Sequence, residues 1–136
     1  MGAEQQKVSD VEHIDKLTLI ETVRLDPDRL GALYSQLGDA GAEDVICRAM
    51  EELAVRMAHC ERLHRQSNWP ELRKSARSLI AISDQIGMRM LSRVASDVTQ
   101  AIDSTDVVAI AATLARLLRI GESSLTAIWD SQDLSL

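Results

Sequence analysis

Phenylalanine is absent from this sequence, tyrosine occurs once (Tyr34) and tryptophan twice (Trp69 and Trp129). A core without rings must be built from Leu, Ile, Val, Met and Ala, which favours helices packed on helices. The same scarcity leaves too few stacking platforms for a single-stranded nucleic-acid binder. Two cysteines, Cys47 and Cys60, make neither a disulfide framework nor a metal cluster. Within one helix they would point to different sides, so both read as inert thiols of a reducing cytoplasm. No run reaches the roughly 18 apolar residues that a membrane-spanning helix needs, and the polar start Met1-Gly2-Ala3-Glu4-Gln5-Gln6-Lys7 carries no secretory pattern. Gln6 stands where a myristoylation signal has Ser or Thr. The expected location is cytoplasmic.

What is present suits one domain. The chain has 136 residues, with 15 basic and 21 acidic side chains for a net charge of −6. That balance argues against nonspecific binding to nucleic acid or to an anionic membrane. Hydrophobic residues at 46% and charged residues at 26% are ordinary for a globular chain and exclude wholesale disorder.

Apolar spacing predicts helices throughout. Val11, Ile14, Leu17, Thr18 and Val23 suggest a short N-terminal helix after a polar tail. Asp26-Pro27 opens the next one, since Asp caps free N–H groups and Pro is tolerated in the first turn; it should end near Gly38, with Gly38-Asp39-Ala40-Gly41 as a turn. From Glu43 to about Gln66, a stripe of Ile46, Met50, Leu53, Met57 and Cys60 opposes Glu51, Arg56, His59 and Arg62. Asn68-Trp69-Pro70-Glu71 is a capping-box pattern that starts a further helix, and its apolar face (Leu72, Ala76, Leu79, Ser83, Ile86, Met90, Val94) predicts continuity to about Ile102. Asp103-Ser104-Thr105-Asp106 offers caps for a last helix that buries Val107, Ile110, Leu114, Leu117, Leu118, Leu125 and Ile128, with Gly121 a local weak point. Long helices and short polar turns imply an all-α, up-down antiparallel four-helix bundle with a short extra N-terminal helical segment. The expected division is 1–24 for the tail and short helix, 25–130 for the bundle and 131–136 for a C-terminal tail.

Periodicity supplies no function, but one segment carries a resemblance. Ala76-Arg77-Ser78-Leu79-Ile80-Ala81, followed by Gln85-Ile86-Gly87 and Leu91, resembles the signature of histidine-containing phosphotransfer (HPt) domains. In that family the stretch runs roughly Ala-His-Ser-Leu-Lys-Gly, then Asn-Ile-Gly-Ala and a Leu. Leu25-Asp26, Leu33, Leu37-Gly38, the Asn68–Leu72 turn and the Ile102-Asp103 turn extend the match over about residues 25–130. The resemblance implies a bacterial two-component phosphorelay protein whose partners are receiver domains or a histidine kinase.

The departures fall where the chemistry would be. Arg77 occupies the phosphohistidine position, Ile80 the position of a charge-neutralising Lys and Ala81 that of a Gly which leaves room for a partner. A neutral imidazole nitrogen attacks an aspartyl phosphate near pH 7, whereas a guanidinium stays protonated and offers no lone pair. The expected protein is therefore not an enzyme and carries no phosphate at Arg77.

At ~100° per residue from Leu72, Arg73, Arg77, Ile80, Asp84 and Met88 fall between about 80° and about 160°, on one flank beside the core stripe. With Ala81 they make an apolar centre bordered by charge, the expected partner-docking surface. Arg77 could enter a receiver's acidic pocket as a fixed cation. Two alternatives accompany this reading: active phosphotransfer through a displaced histidine such as His59, and a helical scaffold or homodimer unrelated to phosphorelays. His59 should point outward, and His64 packs near a helix end; His13 lies near the N-terminus. No i, i+4 pair makes a metal motif, no phosphate-binding glycine loop occurs, and no serine sits in a nucleophile elbow, so neither metal nor cofactor is expected. Met50, Met57 and Met90 read as core filler, with Met88 the geometric exception. The chain is expected to be a monomer or a homodimer.

Overall fold

The computed structural model describes residues 26–134. The predicted N-terminal helix, with Val11, Ile14, Leu17, Thr18, Val23 and His13, lies outside the described residues, as do residues 135 and 136. Four helices follow: α1 (Pro27–Arg65), α2 (Trp69–Gln85), α3 (Arg89–Asp103) and α4 (Val107–Leu134). Each packs on its chain neighbours and α4 returns to α1, which closes a four-helix bundle. Among the described residues there is no strand, and no helix is long and apolar enough to cross a membrane.

The core is aliphatic and sulfur-rich, as a chain without Phe requires. Met50, Leu53, Met57 and Cys60 of α1 meet Leu72, Ala76 and Leu79 of α2, Leu91, Val94 and Val98 of α3, and Ile110, Leu114 and Leu117 of α4. Gly121 leaves room for the Met57 side chain of α1: a Cβ there would collide with Sδ of Met57.

All three connections are built alike. Ser67, Gly87 and Thr105 each take positive φ (53°, 77° and 52°). The next residue then returns its N–H to the preceding helix: Asn68 to Leu63 O at 3.0 Å, Met88 to Ser83 O at 2.8 Å and Asp106 to Ala101 O at 3.2 Å. These are Schellman closures, in which a left-handed residue satisfies carbonyls that a helix end leaves unpaired. The closing residue also opens the following helix. Oδ1 of Asn68 accepts from Glu71 N–H at 3.4 Å and Oδ1 of Asp106 accepts from Ala109 N–H at 3.0 Å, while Met88 stands at the start of α3 with no side-chain cap. Connections of this length force consecutive helices to double back on one another.

Four sequence expectations are corrected. The helix predicted from Trp69 to Ile102 is two helices, because Gly87 turns the chain between Gln85 and Arg89. The helix opened by Asp26-Pro27 ends at Gly38 as expected, with non-helical φ 73° and ψ 174°, but the expected Gly38–Gly41 turn is reduced to that one residue, so α1 is two helical segments joined at a kink. Val107 is exposed, because the core layers of α4 begin at Ile110. Residues 131–134, expected in a C-terminal tail, continue α4.

The kink directs residues 27–37 so that the start of α1 meets the α2–α3 turn. Asp26 N–H donates to Gly87 O at 2.8 Å, Arg89 pairs with the Asp26 carboxylate at 2.8 Å, and Nε of Arg29 donates to Gln85 O at 3.1 Å. This clip fixes the end of α2, the helix that carries the candidate surface.

Candidate docking surface

The inner face of α2 consists of Leu72, Ser75, Ala76, Leu79 and Ser83, all buried. Helical spacing then distributes the other side chains over two flanks and an outer face. One flank turns to α1, where Ser75 lies against the Cys60 thiol; burial pushes that thiol up, so Cys60 is a packed group and not a ready nucleophile. The opposite flank turns to α3. There Nε of Arg73 donates to Oδ1 of Asp103 at 2.7 Å and Nη2 donates to Oδ2 at 3.2 Å.

The sequence-predicted residues separate accordingly. Arg77 and Asp84 are exposed on the α3-facing flank, and Ala81 is exposed on the outer face beside them. Ile80 is half-buried and packs against the core with part of its side chain. Arg73 is half-buried and committed to Asp103. Met88 does not belong to this surface: it lies past the Gly87 turn and is 1% exposed, turned into the core where the turn reverses its direction. Thus α2 brings five of the six residues together, and a break in the helix removes the sixth.

Asp103 is the residue that the sequence pattern places elsewhere. Read as a cap candidate, it instead reaches across to α2, and Asp106 caps α4. The hydrogen bond from Arg73 holds the Asp103 carboxyl below the usual carboxylate range against the opposing effect of desolvation, with the charges of Arg73 and then Arg77 adding to it. Arg77 therefore stands close enough for its charge to act on that carboxylate, and among the described residues it makes no hydrogen bond or ion pair of its own. The chemical capacity of this arrangement is anion recognition by fixed cations; a guanidinium cannot accept and release a phosphoryl group.

The histidines stand apart from it. His59 is half-buried on α1, and Nη2 of Arg62 lies 3.1 Å from its Nδ1. Arginine can only donate, so in this contact Nδ1 accepts and its lone pair is engaged by the Arg62 guanidinium. His64 is half-buried with its ring centroid 5.8 Å from that of Trp69, a packing contact. Among the described residues no group of three His, Cys, Asp or Glu side chains could hold a metal ion.

Comparison with known proteins returns no matching family model, no matching curated protein and no matching solved structure.

Proposed function

We propose that this chain is a non-phosphorylatable HPt-like signalling protein that docks a receiver domain or histidine kinase of a bacterial two-component phosphorelay and modulates phosphate flow by occupying its partner. The observation that carries the reading is the placement of Arg77. It stands exposed midway along a helix of a four-helix bundle, at the position that the sequence resemblance assigns to the phosphohistidine, and it makes no hydrogen bond or ion pair among the described residues. Ile80 and Ala81 beside it supply apolar contact, and Asp84 with Arg73 supplies a charged border, the composition that protein interfaces favour. Docking through this face leaves the partner's acidic pocket filled by a cation that exchanges nothing.

The test is binding of receiver domains to native chain, Arg77→Glu and Ala81→Glu. Both positions are exposed, so both variants keep the fold. The reading expects Arg77→Glu to weaken a receiver complex by at least about tenfold, the range of charge reversals that set like charges face to face. Equal affinity of all three proteins for every partner would end it.

A further inference from the structure

Arg73 grips a carboxylate that arrives from another helix, and a second guanidinium, that of Arg77, stands one helical turn further along the same flank. Asp103 is the last residue of α3, and both of its oxygens are engaged by Arg73, at 2.7 Å and 3.2 Å. This is the fork-to-fork geometry with which arginine recognises carboxylates. Arg77 follows at i+4 on the same flank, where side chains of a helix are neighbours. The bond is open to water, the two side chains being 38% and 54% exposed. An exposed pair of this kind shifts an equilibrium by only about two- to fivefold, so an external carboxylate can replace the internal one at little cost. Three cations, Arg73, Lys74 and Arg77, follow within five positions of α2; Lys74 pairs with Glu71 at 3.3 Å, which leaves Arg77 as the cation beside the Arg73 fork.

We propose that Arg73 and Arg77 form a carboxylate-recognition site for an acidic segment of a partner protein, and that Asp103 is its built-in occupant, displaced when the partner docks. In the resting chain Asp103 keeps Arg73 extended toward α3 and prevents two adjacent cations from repelling one another. On docking, a partner carboxylate takes over the Arg73 fork while Arg77 engages a second acidic group, so the surface selects partners with paired acidic side chains. Asp103 thus sets both the affinity and the specificity of the face. The proposal rests on the docking reading for its choice of face, but its test uses no receiver domain. A chain that captures an acidic peptide here while ignoring every receiver domain therefore separates the failure of one from that of the other.

The experiment titrates the 15N-labelled full chain with a capped hexaglutamate peptide at constant ionic strength, with hexaglutamine and inorganic phosphate as comparison probes. The Nε–Hε resonances of Arg73 and Arg77, assigned through Arg73→Lys and Arg77→Lys, report the contact. Hexaglutamate should move both resonances, and Asp103→Asn should bind it about two- to fivefold more tightly. Glu122→Gln, the same charge change on the exposed side of α4, should leave the affinity unchanged. The proposal is overturned if Asp103→Asn binds hexaglutamate no better than the native chain, if Glu122→Gln gives the same gain, or if phosphate or hexaglutamine binds as well as hexaglutamate.

Discussion

The backbone N–H of Asp26 donates to the carbonyl of Gly87 at 2.8 Å, so the residue that opens α1 is hydrogen-bonded to the residue that separates α2 from α3. The contact is intimate: a Cβ on Gly87 would lie 3.2 Å from both Cβ and N of Asp26, and φ there is +77°. Gly87→Ala therefore combines backbone strain with a clash against main chain, for a cost of about 1–3 kcal/mol. Urea denaturation of the variant should show an earlier midpoint at unchanged slope; an unchanged midpoint would mean that the turn tolerates a side chain.

The opposite sign is expected at the α3–α4 turn. Thr105 takes φ 52°, a left-handed conformation that a β-branched residue adopts only under strain. Thr105→Gly relieves that strain and should stabilise the bundle by about 0.5–1 kcal/mol, partly offset by the greater freedom of Gly in the unfolded chain. The same denaturation measurement checks it, and a loss of stability would contradict the reading of this turn as the strained relative of Gly87.

Gly121 and Met57 should behave as a coupled pair. Any side chain at 121 must displace the Met57 thioether, which is flexible and yields to a methyl but not to a branched group. Gly121→Val should cost about 1–3 kcal/mol by overpacking, and adding Met57→Ala should recover part of that cost. Additivity of the two substitutions in a double-mutant cycle would show that they do not touch.

Acid should remove one contribution in particular. Asp103 has its carboxyl held below the ordinary range by the Arg73 hydrogen bond, so its contribution is complete above the unfolded value of about 3.9 and disappears as pH falls through the lower folded value. Asp103→Asn should therefore be less stable than the native chain at pH 7, and the difference should close progressively below about pH 4. A difference that stays constant down to pH 2.5 would show that the carboxylate is not what the substitution removes.

Much of this architecture is legible in the residues. Asp26-Pro27 and Asn68-Trp69-Pro70-Glu71 mark real helix starts, because a short polar side chain followed by Pro solves the problem of unpaired N–H groups locally. The capping box at Asn68 is only half made, since the Glu71 carboxylate pairs with Lys74 at 3.3 Å. The break at Gly87 is hidden by periodicity. Ile86, Met90 and Val94 continue the register of Leu79 and Ser83, and only the glycine itself marks the turn. That miss also misplaced Met88, which projects onto the flank if the helix is unbroken and into the core once Gly87 reverses the chain. The flank of Arg73, Arg77, Ile80 and Asp84 follows from helical spacing alone. The Arg73–Asp103 contact does not, because it depends on how two helices are juxtaposed and no local pattern encodes that.

The most direct test of the central claim is to incubate the chain with a panel of receiver domains, phosphorylated and unphosphorylated, reading complex formation and acid-labile phosphate on the chain together. The account predicts a complex with at least one receiver domain and no phosphate on the chain. Transfer of phosphate that disappears in His59→Ala would contradict it by locating a nucleophile on α1, and absence of any complex would contradict the docking role of Arg77.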